Sequence, residues 1–409
     1  MAQRRQFMDG LFEVMTSLRL TVVCLALAVV LVFWGTLAQV DLGLYKAQNE
    51  FFRSLFICWT VPRWGLKIPV FPGGYLVGGV LLINLISSHF KRFTLSADKA
   101  GIWLVHLGLI LLLIGQFLTD MLSRESALHL REGESRNYSE SERESELAII
   151  DRTDPTADNV VAIPQRVLMR QQEVRQAALP FAVKVKAFYA NSRVAERPPD
   201  AAEPPAATEG VGKNAIVRAE PRVTDMDERD VPSAVVELVA SQGSLGSWLV
   251  SEYVNEPQEL TYDSRTYRLA MRLRRFYKPF SVQLLEFRHD VYPGTDIPKN
   301  FSSRVLVQRP DTGEKREVLI YMNNPLRYGG ETFYQASWDK DDHGTVLQAV
   351  HNPSWLTPYL SCILVGAGLL WQFLTHLLGF TLRRQTAPAG AGPAPVAAPA
   401  ALALKQTKV

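Results

Sequence analysis

Four long apolar stretches constrain this chain before anything else does. A bilayer core about 30 Å thick takes roughly 20 apolar residues in helix, because backbone amides in lipid must be bonded within their own segment. Residues 20–38 (LTVVCLALAVVLVFWGTLA), 74–90, 101–118 (GIWLVHLGLILLLIGQFL) and 355–380 meet that requirement. The first has Arg4-Arg5 ahead of it like a twin-arginine leader, but its apolar run exceeds the roughly 7–15 residues of a cleavable core, so it reads as an uncut anchor. The fold class expected is a polytopic α-helical membrane protein with four transmembrane helices and a large β-rich extracytoplasmic domain between the third and fourth.

Orientation follows from Lys and Arg, which stay on the cytoplasmic side of a span. Arg4, Arg5 and Arg19 precede the first stretch, Lys91, Arg92 and Lys99 fall in the short turn 91–100, and Arg383-Arg384 follow the fourth. All three clusters share one side if both termini are cytoplasmic, with 1–19 and 381–409 inside and 121–353 outside. Lys46, Arg53, Arg63 and Lys67, in the opposite loop 39–73, oppose that bias.

The bulk averages exclude little: the 409 residues are 47% apolar and carry 44 basic against 41 acidic side chains. Cysteine usage is more informative. Cys24, Cys58 and Cys362 are far apart with no C-x-x-C, so neither a dithiol centre nor a zinc cluster is indicated. Without a C-x-x-C-H the chain is not itself a c-type cytochrome.

In the loop 39–73, Phe51, Phe52, Leu55, Phe56 and Trp59 recur at helical spacing, which predicts a helix lying in the membrane interface. A loop packed on the outer domain is the other reading. Beyond residue 121 the pattern becomes alternation: Val183, Val185 and Ala187 interleave with Lys184 and Lys186, and residues 234–240, 267–275, 281–287, 305–308 and 318–322 also read as strands. Residues 192–213 (SRVAERPPDAAEPPAATEGVGK) are rich in Pro, Ala and charge and predict a disordered excursion. The Ala/Pro tail 381–409 reads as flexible and of low complexity. Arg268, Arg272, Arg274, Arg275 and Lys278 alternate with apolar residues as on a half-exposed strand, usually a solvated face. Nucleic acid is not an expected partner of a segment outside the membrane.

Three histidines, His89, His106 and His376, fall in or beside the spans. An ionisable group in a span is costly and points to function, and neutral imidazole is a good axial ligand for haem iron. His106 lies seven residues beyond Lys99 and His376 seven before Arg383, each about 10 Å from a cytoplasmic charge, so the two read as rings at matching depth that can clamp one haem. Lys91, Arg92, Lys99 and Arg383 then become candidates for its propionates. The bland alternative is a hydrogen bond to a neighbouring helix, with Gln372 one turn from His376 as companion. His89, close to Lys91, reads as an ordinary interface residue. Gly101, Gly108 and Gly115 recur every seven residues as a close-packing seam, and His106 lies roughly opposite it. His129, His289, His343 and His351 are single residues without metal-ligand spacing.

The segment YMNNPLRYGGETFYQASW (321–338), followed by HNPSWLTPYL and the last apolar stretch, resembles the signature of the ResB family, also called CcsB, of cytochrome c biogenesis proteins. PGGYLVGGVLLINLISSHFKRF and GIWLVHLGLILLLIG are also similar to that family. The resemblance implies a bacterial inner (cytoplasmic) membrane protein of the system II (Ccs) pathway. In that pathway a ResB-type chain acts with a CcsA/ResC-type partner to move haem b outward and attach it to apocytochrome c. It also implies a haem site within the membrane at a histidine of the third span, here His106; His376 rests on the depth argument alone. The Trp-rich loop of the partner is absent, so the chain is expected to act as a subunit of a holocytochrome c synthase rather than as an enzyme by itself. A structural scaffold for the partner that binds no haem is the competing reading. A membrane-anchored sensor would need an output module, which the low-complexity tail does not offer.

Overall fold

The computed structural model describes residues 2–61, 64–91, 96, 99–154, 157–198, 202–224, 228–295 and 298–386, the side chains of 2–5, 7, 8, 298 and 383–386 aside. Helix α1 (Ala2–Met15) leads into α2 (Leu18–Leu42), a short turn α3 (Leu44–Ala47) and a π-helical turn (Gln48–Phe52). A hairpin of β1 (Phe56–Thr60) and β2 (Lys67–Pro72) precedes α4 (Gly74–Lys91) and α5 (Ala100–Leu122). There follow β3 (Arg124–Arg131), β4 (Ser135–Asp151), β5 (Asn159–Pro164), a turn α6 (Gln165–Leu168), β6 (Glu173–Val174), β7 (Phe181–Tyr189) and β8 (Ser192–Glu196). Next come β9 (Ala215–Ala219), β10 (Ser233–Ala240), β11 (Gly243–Ser251), β12 (Gln258–Tyr262) and β13 (Arg265–Val291). The strands close with β14 (Pro298–Arg309), β15 (Glu314–Tyr321), β16 (Leu326–Tyr328), β17 (Glu331–Trp338) and β18 (Gly344–His351), before α7 (Thr357–Thr386).

Among the described residues three helices are long and apolar enough to cross a membrane, within α2, α5 and α7. Their side chains stay bare, with Phe33 67% and Leu369 59% exposed, as apolar surface meant for lipid would be. Helix α4 falls outside these three. It has 18 residues, and Asn84, Ser87, Ser88, His89 and Lys91 make its second half polar.

The chain divides into two compact units. One takes in residues up to Thr21, Leu81–Gln116 and the chain from Leu356; the other takes in Val22–Val80 and Phe117–Trp355. In the second unit a large sheet runs β15-β14-β13-β4-β3-β18-β17-β16, with β12 added to β13 and β5 to β4; a smaller sheet runs β11-β10-β7-β6. The strand β13 serves two cores. Tyr267, Leu269 and Met271 from the first half of β13 join Leu147, Val183 and Val236 in one core, while Phe280, Val282 and Leu284 from its second half join Leu128, Val305 and Phe333 in the other. The inward residues change from odd to even numbers along β13, and its pairing with β4 is irregular between, at Leu273/Arg275 and Tyr277/Val282. Side chains alternate strictly along a strand, so irregular register is what lets one strand turn the opposite parity inward.

The basic run on β13 is paired rather than simply solvated. Arg272 Nε donates to Glu146 Oε1 at 3.0 Å, Arg274 Nη1 to Glu144 Oε2 at 2.6 Å and Arg275 Nε to Glu140 Oε1 at 2.9 Å, all on the facing strand β4. Alternation had suggested the exposed face, but it does not show that the neighbouring strand presents glutamates at the same heights.

Two other expectations are corrected. The helix expected around residues 51–59 is a tight turn followed by β1: Phe51 is buried against Leu31 and Ile57, Trp34 meets the rings of Phe51 and Phe71 at 5.3 and 5.9 Å, and Gly65 (φ 63°) closes the hairpin. Phe56, Ile57 and Thr60 suit a strand as well as a helix, and the pairing with β2 decides between them. The excursion expected to be disordered holds β8, which pairs with β9, while Ala207 is buried with Ala215 and Leu249. Small apolar residues supply a core there because Gly212 admits close approach to Ala207: a Cβ at Gly212 would stand 2.5 Å from that methyl carbon. Residues 199–201 of the excursion, and 387–409 of the tail, lie outside the described residues.

Lys278 is buried, its side chain 4% exposed, and ion-paired with Glu331. Burial pushes the Lys278 ammonium below the usual lysine range while Glu331 pulls it back. Removing one member of such a pair leaves an uncompensated charge, worth about 3–5 kcal/mol, whereas replacing both with apolar groups is often neutral. Glu331→Ala is therefore expected to lower the thermal midpoint of the detergent-solubilised chain strongly, and Lys278→Met combined with Glu331→Leu to recover most of the loss.

Candidate functional site in the helical unit

Polar side chains in the helical unit have specific tasks. Helix α1 ends at Met15 and α2 starts at Leu18, and Asn84, 2% exposed on α4, clamps this break. Its Nδ2 donates to the carbonyls of Met15 (2.7 Å) and Ser17 (3.1 Å), and its Oδ1 accepts from Thr21 Oγ1 (2.6 Å). One turn along α4, Ser88 Oγ donates to Thr16 O at 3.4 Å and Lys91 Nζ to Thr16 Oγ1 at 3.0 Å, with the ammonium 5.9 Å from the Phe12 ring. Lys91, a candidate for anion contact, is thus turned toward the α1–α2 corner.

The glycine seam of α5 packs on α7. A Cβ at Gly101 would lie 2.6 Å from Gly368 O, and one at Gly108 2.7 Å from Val365 Cγ2 and 2.9 Å from Ser361 O; Gly115 meets Thr357 in the same way. Gly108→Leu is expected to force the helices apart and cost about 1–3 kcal/mol by overpacking. Gly78→Ala on α4, where a Cβ would meet nothing within 4 Å, serves as the neutral control. Thermal unfolding of the two variants in detergent checks this.

This register also overturns the depth argument. Midway between the Gly101 and Gly108 contacts, His106 is level with about residue 365 of α7 and His376 lies about ten residues further along, roughly 15 Å away. The flanking charges misled because α7 continues well past the start of α5, so Lys99 and Arg383 are not level. Two axial imidazoles on one iron must lie within a few bond lengths, and this register does not bring His106 and His376 together. His376 instead takes a hydrogen bond from Gln372, Nε2 to Nε2 at 2.6 Å, and is exposed.

His106 faces α4. Its Nδ1 is 2.8 Å from the carbonyl oxygen of Ile102. A carbonyl can only accept, so Nδ1 donates, and in the neutral ring the lone pair is on Nε2. The ring of His89 lies 6.3 Å from it, centroid to centroid, with the planes at 51°, and Trp103 stands edge-on to His89 at 3.8 Å. Of the three histidines in or beside the spans, His89 has the least to recommend it in sequence. The only signal for it is that α4 and α5 are antiparallel neighbours across a short turn, which puts the end of one beside the start of the other. Lys99 begins the approach to α5; Arg92 and the side chain of Arg383 lie outside the described residues.

The remaining histidines belong to the β domain. His129 Nε2 meets Asp339 Oδ1 at 2.8 Å, His289 Nδ1 meets Asp342 Oδ1 at 3.1 Å, His343 Nδ1 is 3.6 Å from Glu132, and His351 Nδ1 is 3.1 Å from Gly330 O. Among the described residues no group of three or more His, Cys, Asp or Glu can hold a metal ion.

Comparison with known proteins bears on the same chain. Residues 243–359, from β11 to the first turn of α7, match the ResB-like family, and they include the 321–338 segment. The chain is 27% identical over 297 residues to Protein NrfI of Wolinella succinogenes, covering 72% of this chain and 29% of that one. It is 29% identical over 141 residues to the cytochrome c biogenesis protein CcsB of Picosynechococcus sp. (34% of this chain, 29% of the relative). To CcsB of Synechococcus elongatus it is 34% identical over 98 residues (24% and 21%). The alignments thus span under a third of these relatives' lengths. The chain thus has three membrane-length helices among its described residues and a β domain between the second and third of them, and over residues 243–359 it is similar to the ResB-like family.

Proposed function

We propose that this chain is a haem-handling subunit of a bacterial cytochrome c biogenesis complex in the inner membrane, with His106 as an axial ligand. The observation that carries the reading is the state of His106: an imidazole inside a membrane-length helix, its Nδ1–H fixed on Ile102 O and its Nε2 left with a lone pair. Metal-ligating histidines are held in this way, the second nitrogen donating to a carbonyl that sets tautomer and orientation. The donor therefore fits a haem iron. Bound haem would supply the group to be attached to apocytochrome c; the chain would hold it, shield it from water and present it to a CcsA/ResC-type partner. The names of the CcsB relatives support the cytochrome c biogenesis part of this reading.

In this reading α4 is a fourth span. At about 1.5 Å per residue its 18 residues reach roughly 27 Å, close to the hydrocarbon thickness. Its most buried polar group, Asn84, is bonded, so the cost of carrying it into lipid is offset. A crossing by α4 also returns Lys91 and Lys99 to the side of Arg19, as the positive-inside rule asks. Both termini are then cytoplasmic and the β domain extracytoplasmic, where it would meet apocytochrome c. Of the cationic side chains near the inner surface, Lys99, Arg92 and Arg383 remain the propionate candidates, Lys91 being held by Thr16.

The test is the absorption spectrum of the full chain purified with its partner. A Soret band that is lost in His106→Ala and regained with added imidazole is the expected result, while His376→Ala keeps the band. A chain that carries no haem, and supports cytochrome c maturation equally well with His106→Ala, would make it the partner's structural scaffold.

A further inference from the structure

The two points at which the chain enters and leaves the β domain lie side by side. Thr119, in the last turn of α5, has its Oγ1 3.0 Å from Ser354 Oγ and accepts from Asn352 Nδ2 at 3.3 Å, and residues 352–354 come just before α7. Arg124 and His351 are partners across β3 and β18, so the first and last strands of the domain meet at this edge.

An arginine stands on an aromatic ring at each junction. Arg124, two residues after α5, has its guanidinium carbon 4.4 Å from the centre of the Phe276 ring. Arg327 of β16 is 4.6 Å from the ring of Trp355, two residues before α7. Both arginines are exposed, and among the described residues neither makes an ion pair, whereas Arg272, Arg274 and Arg275 are each taken by a glutamate. A guanidinium stacked on a ring is held flat with its N–H edge open, and that fork fits the oxygens of a phosphate.

The surroundings are layered as a bilayer surface is. The β1–β2 hairpin is tied to the same end of α5, Arg53 pairing with Asp120 at 2.9 Å, and it leaves Phe56, Trp59 and Val70 at 50%, 57% and 55% exposed. Residues 54–73 contain no Asp or Glu, and Lys67 is exposed among them. Aromatic rings favour the headgroup level, and basic side chains its phosphates. An acidic protein surface would match the arginines but leave the apolar side chains of the hairpin in water.

We propose that Arg124 and Arg327 bind anionic phospholipid headgroups in the leaflet on the β-domain side, with Phe276 and Trp355 holding the two guanidinium groups ready. The inference does not depend on haem. Such contacts fix the base of the β domain against the membrane at both chain crossings.

The experiment is native mass spectrometry of the full-length chain, released from detergent micelles that carry either phosphatidylglycerol or the zwitterionic phosphatidylcholine. Wild type is compared with Arg124→Gln, Arg327→Gln, the double variant and, as a control on β8, Arg193→Gln. Wild type and Arg193→Gln are expected to retain phosphatidylglycerol in preference to phosphatidylcholine. Each single glutamine variant should weaken phosphatidylglycerol binding about fivefold, and the double variant should multiply the two losses. Arg124→Lys and Arg327→Lys keep the charge and should recover most of the affinity, which excludes misfolding as the cause. A double variant that binds phosphatidylglycerol as wild type does, or a wild type that binds both lipids equally, would overturn the proposal. A double variant that keeps the lipid but no longer purifies with a partner subunit would assign the arginines to an acidic protein face instead.

Discussion

Inside a bilayer there is no water to pair a polar group, so every such group must find its partner in the protein. The helical unit is organised by that demand. The break between α1 and α2 frees backbone carbonyls at Met15 and Ser17, and Asn84 of α4 returns to satisfy them. Gln372 serves His376 on its own helix, and Ile102 serves His106. What the accounting leaves over, among the described residues, is the Nε2 of His106 and the ring of His89, neither of which has a hydrogen-bond partner.

Close packing decides where those leftovers lie. Glycines at 101, 108 and 115 bring the backbone of α5 against α7, and that contact turns the opposite face of α5, with Trp103 and His106, toward α4. In lipid, packing of small residues takes over the role that apolar burial has in water. The seam is therefore a positioning device as well as an adhesive one: it sets which histidines of the helical unit face one another.

The β domain solves a different problem. It must bury two cores with a strand that passes from one to the other, and β13 manages this by changing its register against β4, so that Tyr267, Leu269 and Met271 fill one core and Phe280, Val282 and Leu284 the other, with Phe287 joining them past a second irregularity. Cross-strand arginine–glutamate pairs then line the outward side of the first half. The buried Lys278–Glu331 pair sits beside the second core, where Lys278 faces the Phe333 ring at 5.7 Å.

Apolar length and period were enough to read the three membrane-length helices, the β-rich character of the segment between α5 and α7 and the glycine seam, because those properties are local: a span must be apolar along its length and a half-buried strand must alternate. Local pattern also singled out the segment 321–338, which lies within the ResB-like match. It could not tell a hairpin from a helix at 56–60, since aromatic and β-branched residues suit both and only pairing with β2 settles it. It saw no core in the residues around Ala207, because their small side chains bury surface only when Gly212 lets the chain close on them. Above all, it put His376 level with His106 and read His89, which faces His106, as an ordinary interface residue. Depth counted along one helix says nothing about how far a neighbouring helix is slid past it, and that displacement is fixed by side chains and glycines meeting across the interface, which only the tertiary structure contains.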